Sequence, residues 1–500
     1  MSVTPDRRGF LAASTAGAGS LAFLNQLPRV SAAEAKPDSK IVRLDSGIEQ
    51  LVRLVEETPR DKLLEEVGSR IKKGLAYRDV LAALFLAGVR NIQPRPQVGF
   101  KFHAVMAVNA AHQASLAGPD RERWLPLFWA LDNFKSAQAI NATESAGWRM
   151  KPVDEAKVPP PSKARAAYIA AMDNWDVDAA DTAVVGLARS ATPGELFELF
   201  ARYGSRDFRD IGHKAIFVAC SFRTLDVIGW QHSEPVLRSL AYALQKHDGK
   251  NPAKDDLEQD RPGRKNAERV RTAAAAQGAL PEIPRELLTA LRAASADEMG
   301  AKVAELTAKG AAPRAIWEGL FLGAGELLMR QPGIIGLHTL TALNALHYAH
   351  QTVAADDTRK LLLLQAASFL PMFREAMKTR GKVGDAKIDE LGPRDEKALF
   401  GVGDVYKEVS KNKETAARTA MSYLKANPDG AKELTDEGRR LIFMKGTDAH
   451  DYKFSTAVLE DAEVISPAWR DRFLAASLFW MKGSETPDSP LVKRTHAALA

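Results

Sequence analysis

Apolar residues recur along this chain at intervals of three and four and almost never alternate one by one. Ile48, Leu51, Val52 and Val55 would line one face of a helix, while Glu49, Arg53, Glu56 and Glu57 point away from it. The same stripe runs through 62–74, 79–90, 104–117, 179–188 and 195–203, and again through 286–294, 299–309, 314–329 and 339–354. Alternating β-type runs bounded by turns are nearly absent. The pattern predicts an all-α fold.

The stripes also repeat at long range. Leu84-Phe85-Leu86 returns as Leu320-Phe321-Leu322, Gly74 and Arg78 as Gly310 and Arg314, and Val227-Ile228 as Val464-Ile465. His103, Asn109 and His112 return with the same spacing as His338, Asn344 and His347, and His213 returns as His450 with a drift of two. Six of the ten histidines therefore pair across an echo of about 236 residues. A period that long predicts a tandemly duplicated helical domain with pseudo-twofold related halves, not a short-period solenoid.

Prolines and charge clusters mark the joints. Asn91 to Pro96 and Gln331-Pro332-Gly333 occupy the same place in each half, entering the histidine segments. Residues 151–163, with Pro159-Pro160-Pro161, read as an extended connector. The hydrophilic stretch 246–285, with four prolines, is the best domain boundary. The halves are placed at 40–248 and 282–486, joined by a charged linker at 249–281.

Histidine and asparagine are costly to bury without partners, so their persistence in both halves points to a site. On a regular helix, Asn109 and His112 stand about 60° apart, but His103 and His112 stand about 180° apart. One straight helix cannot turn both histidines onto one ion. Either the first histidine sits at a bent-back helix entrance, or each half builds its site from several helices with His213 or His450 as the natural partner. The metal-ligand candidates are His103, His112, His213, His338, His347 and His450, with Asn109, Asn344 and His350 as supporting residues. His338, His347 and His450 are expected to share one pocket with Glu460 and Asp461, which stand as candidate bases. His450 and Asp461 fall within about 20° of each other on a helix, and histidine with carboxylate suits iron, manganese or zinc. The opposing reading makes the histidines structural: one at a helix start hydrogen-bonds free backbone groups, and an Asn/His pair bridges packed helices.

The first 35 residues read as an address. Arg7-Arg8-Gly9-Phe10-Leu11 leads into a mild Ala/Gly-rich run from Leu11 to Phe23, and Ala33-Glu34-Ala35 offers a cleavage site. This order matches a twin-arginine export signal, which predicts the twin-arginine translocase as a partner and a periplasmic or secreted destination. No other stretch approaches 18 consecutive apolar residues, so stable membrane insertion is not expected. Removal of the segment takes the net charge from +6 to +5, without a basic stripe interleaved with aromatics, so nucleic acid is not an expected partner. The single cysteine, Cys220, excludes an intrachain disulfide, a c-type haem attachment and a four-cysteine iron–sulfur cluster. A bound metal would therefore use histidine, carboxylate or amide ligands. The aromatics around Trp124 and Trp129 read as core, Cys220 as a buried thiol, and Gly401-Val402-Gly403 lacks the strand and third glycine of a dinucleotide site.

His338-Thr339-Leu340-Thr341-Ala342-Leu343 resembles the His-x-x-Thr stretch, followed by Ala-Leu, of questin oxidase-like proteins, and Gly212-His213-Lys214 is similar to another segment of the same group. Those are helical oxygenases of the Baeyer–Villiger type acting on aromatic polyketides. The first copy departs from that stretch with Met106 in place of the threonine. Over its length the chain resembles twin-arginine-exported helical proteins of planctomycete type, which implies the address and no particular activity. The leading expectation is an exported, His-liganded metalloprotein: an oxidoreductase, oxygenase-like, using iron or another divalent transition metal on a small organic substrate. The alternative is a non-catalytic helical binding or scaffold protein.

Overall fold

The computed structural model describes residues 46–94, 102–245, 250–272, 282–394 and 398–500. The expected signal segment, 1–35, lies outside the described residues, as do parts of the 91–96 loop and of the 249–281 linker. Among the described residues there are 22 α-helices and no strand. None of these helices is long and apolar enough to cross a membrane.

Local chemistry sets many helix starts. Thr192 with Glu195, Ser295 with Glu298, and Asp448 with Asp451 form capping boxes that satisfy otherwise free N–H groups. Proline occupies the first turn of Pro161–Asn174, Pro193–Gly204, Pro313–Arg330 and Pro467–Ser477, where its missing N–H costs nothing. The stripes at 79–90 and 314–329 belong to helices that are enclosed on every side. Tyr77–Asn91 is buried from Val80 to Asn91 and Pro313–Arg330 from Ile316 to Met329, as befits helices apolar nearly all round. Part of the charged 249–281 stretch is structured. Arg261–Thr272 is a helix packed on Ala296–Ala308 and Asp356–Met377, with Asn266 donating to Gln365 and Ser368.

Four helices form the centre: His103–Ala117, His213–Ile228, Ile334–Thr352 and Ala449–Val464. Each touches the next in a closed ring, His103 helix to His213 helix, to His338 helix, to His450 helix and back. Each carries one histidine in its opening turn or just beyond it: the first residue of two helices, the second of the Ala449 helix and the fifth of the Ile334 helix. Residues six and seven positions further on in all four helices line one shared cavity, Asn109 and Ala110, Ala219 and Cys220, Asn344 and Ala345, Thr456 and Ala457. The four helices therefore leave the histidine layer in the same sense, side by side.

Buried ion pairs lock the outer helices. Arg90 binds Glu56 through two hydrogen bonds of 2.6 and 2.8 Å, and Arg292 binds Glu326 through two of 3.0 and 2.7 Å. A third network, Lys214–Asp207 at 2.7 Å and Arg209–Asp260 at 2.7 Å, is wholly buried beneath the turn that leads to His213.

Candidate metal centre

The four central helices bring four of the expected histidines together. His213 Nε2 lies 3.1 Å from His103 Nε2 and 3.0 Å from His338 Nε2. His103, His338 and His450 each offer a ring nitrogen within 4.8 Å of the others and could hold a metal ion. His103, His213 and His338 are buried, and His450 is half-buried. Ring centroids run 5.1 Å from His103 to His213, 4.5 Å to His338, 5.1 Å to His450 and 4.5 Å back to His103.

The opposite ring nitrogens fix which way the lone pairs face. His338 Nδ1 is 2.6 Å from the carbonyl of Ile334, and His213 Nδ1 contacts the carbonyl of Asp210. A carbonyl only accepts, so each Nδ1 carries the proton and each Nε2 presents a lone pair. His450 Nδ1 sits 2.5 Å from the Asp448 carboxylate, and its buried Nε2 has no hydrogen-bond partner among the described residues. Lone pairs 3.0 Å apart repel unless a cation lies between them. Burial, then the charges of Lys453 and the neighbouring histidines, holds His103 well below the usual imidazole range; burial, then His213 and Lys453, does the same to His338. Protons are thus poor candidates for that cation. Nitrogens bound at about 2.0–2.1 Å to one ion stand about 2.8–3.4 Å apart in square or tetrahedral geometry, and the distances from His213 to His103 and to His338 fall in that range.

His213 is held by a strained turn. Asp210 and Ile211 both adopt left-handed backbone, at φ 52° and 50°, followed by Gly212 at 78°. Left-handed backbone costs a β-branched isoleucine about 1–2 kcal/mol, and such strain persists only where surroundings enforce it. Gly212 also has no room for a side chain: a Cβ there would meet Ala342 Cβ on the His338 helix at 2.9 Å. The turn aims the Asp210 carbonyl at His213.

The remaining expected site residues lie elsewhere. His112 meets the Tyr77 hydroxyl at 3.2 Å through Nδ1. His347 and His350 flank Trp317, with ring centroids 4.9 and 5.5 Å away, on a surface hollow of about 380 Å³. The hoped-for meeting of His338, His347 and His450 thus takes place for His338 and His450, while His347 faces out. Nine residues after His338, it is half a turn out of phase with it. Asn344 donates to Glu460 at 2.9 Å and to Asp461 at 2.8 Å, and Glu460 also takes Arg223 at 2.9 Å. Neither carboxylate is within the histidine cluster. Burial pushes the Asp461 carboxyl well up, with Asn344 opposing, and its second oxygen has no partner among the described residues.

Sequence reasoning passed over Lys453, Thr341 and Asp448. Lys453 and Thr341, each three residues beyond a clustered histidine, line the axial cavity with Asn109, Cys220 and Asn344. Lysine buried at 4% exposure and threonine inside a helix are the signals that spacing alone does not reveal.

Comparison of the chain with protein-family models, with curated proteins and with solved structures returned no match. The class is therefore defined by geometry: an all-helical protein with buried histidines placed to hold a metal ion.

Proposed function

We propose that this chain is a metalloprotein with one centre ligated by His103, His213, His338 and His450. The convergence of their Nε2 lone pairs, with Nδ1 protons tied to Asp210, Ile334 and Asp448, carries the reading. Four imidazoles and no carboxylate or thiolate suit iron, copper, zinc or nickel. An uncharged ligand set favours the lower oxidation state of a redox metal, and the expected oxidoreductase chemistry is part of this proposal. A hollow of about 350 Å³ shares Gln113 and Thr456 with the axial cavity and is edged by Glu460, offering room for a small organic substrate. Glu460 edges that hollow and is the group there placed to exchange a proton, while the neighbouring Asp461 is buried and its carboxyl is pushed well up by that burial.

The same reading includes the duplication. The ring separations pair as 5.1 with 5.1 Å and 4.5 with 4.5 Å when His103 is matched with His338 and His213 with His450. The buried pair Glu56–Arg90 and the pair Arg292–Glu326 stand at positions one period apart with their charges exchanged. Helix contacts agree too: the helix 46–57 packs on 77–91 as 283–291 packs on 313–330, and 177–188 on 233–244 as 413–426 on 467–477. A centre assembled across two halves needs both of them before it can load metal, which fits export of an already folded protein.

Metal analysis of protein recovered from outside the cytoplasm, with an Arg7→Lys/Arg8→Lys precursor as the retention control, tests the proposal. One equivalent of transition metal per chain is expected. His103→Ala and His338→Ala should weaken metal binding equally, as should His213→Ala and His450→Ala as a second pair. A fully helical, metal-free protein exported regardless of the arginine pair would instead favour the scaffold reading, in which the four imidazoles share protons.

A further inference from the structure

The axial cavity, one helical turn from the histidines, has a volume of about 30 Å³. At about 10–15 Å³ for each water-sized group, it holds two or three such groups. Two of its lining side chains are buried donors left without partners among the described residues, Lys453 Nζ and Thr341 Oγ1. Both residues are 4% exposed. They come from neighbouring helices, Lys453 three residues beyond His450 and Thr341 three beyond His338. A buried ammonium without a partner is expensive, so the amine either gives up its proton or is met by a counter-charge.

The surrounding charges meet it only in part: Asp448 acts on Lys453 electrostatically without a hydrogen bond to its Nζ. Arg223 and Glu460 cancel each other at 2.9 Å, and burial disfavours the charged form of Asp461. Asp448 is committed to His450. The opening turns of four helices add their positive ends to the same layer. A divalent ion among four uncharged imidazoles would raise the local positive charge further.

We propose that the cavity lined by Lys453 and Thr341 is a binding site for a small monovalent anion of one to three heavy atoms, accepting hydrogen bonds from both. The anion offsets the charge of the lysine and of the metal, and a halide, azide or cyanide has the right size and sign. The proposal rests on the four-histidine centre for part of that charge, while the unpartnered donors stand independently of it. Burial also pushes the Lys453 ammonium down to about 7, a position that a bound anion would raise.

Azide is the probe, because its antisymmetric stretch in the infrared separates bulk, hydrogen-bonded and metal-bound ion. Wild type is expected to give a shifted, narrowed band that saturates at one azide per chain. Lys453→Met should lose that band, and Thr341→Val should weaken azide binding roughly tenfold, both with metal content unchanged. Metal bound at one equivalent with only the bulk azide band would overturn the anion site alone and leave a water in its place. An identical band in Lys453→Met would overturn it as well. A shifted band in protein that binds no metal would sustain the anion site and sink the metal centre.

Discussion

His347 and His350 show what burial does to single residues outside the central cluster. Burial first, and then nearby positive groups, moves each imidazole down to about 4. In the unfolded chain both return to about 6.5, so between pH 6.5 and 4 the unfolded state binds more protons than the folded one. Stability is therefore complete above pH 6.5 and falls as the pH drops toward 4. Allowing for their partial exposure, each histidine should cost about 1–3 kcal/mol across that window. Denaturant midpoints at pH 7.5 and pH 5 cover about 1.5 units of that window, so His347→Leu should lessen the drop by about 1–2 kcal/mol, and an unchanged drop would refute the account. The residue scale also shows how far the sequence could be read. Repetition singled out six histidines, and four of them meet. His112 and His347 repeat just as faithfully but lie half a turn from His103 and His338, so the helix carries them to other surroundings. Periodicity shows which residues recur; phase decides which ones converge.

At the scale of elements, the turn from Arg209 to Gly212 matters most, because it sets His213 against both His103 and His338. Its left-handed residues are held down by a buried charge network. Burial raises the Asp207 carboxylate, but Lys214 and Arg209 outweigh it and hold the group below its usual range. Lys214→Met would leave Asp207 with Arg209 at 3.3 Å and Arg206 at 4.0 Å and should cost about 3 kcal/mol. Because the same turn positions His213, metal affinity should fall with it. Urea midpoint and metal titration on one preparation check the pair of effects, and a variant that keeps both unchanged would contradict the role given to the turn. Nothing in the sequence announced this element. A Phe-Arg-Asp-Ile-Gly run offers one glycine where the backbone takes three consecutive left-handed residues, and the enforcing charges come from as far away as Asp260. The helices, by contrast, were legible from their stripes. The linker was read as plain boundary because Arg261–Thr272 is mostly charged, yet it packs through Asn266.

At the scale of the molecule, four helices from distant parts of the chain stand side by side and bring one histidine each to a common layer. Beyond that layer lies the Lys453 cavity, and the Glu460 hollow shares Gln113 and Thr456 with it. X-ray absorption at the edge of the bound metal tests this arrangement most directly. The account predicts a first shell of nitrogen at about 2.0–2.1 Å with the outer-shell scattering of four imidazoles. It also predicts that His347→Ala leaves the spectrum unchanged while His213→Ala removes one imidazole. A shell containing sulfur, a shell dominated by carboxylate oxygen, or fewer than three imidazoles in the wild-type protein would contradict it.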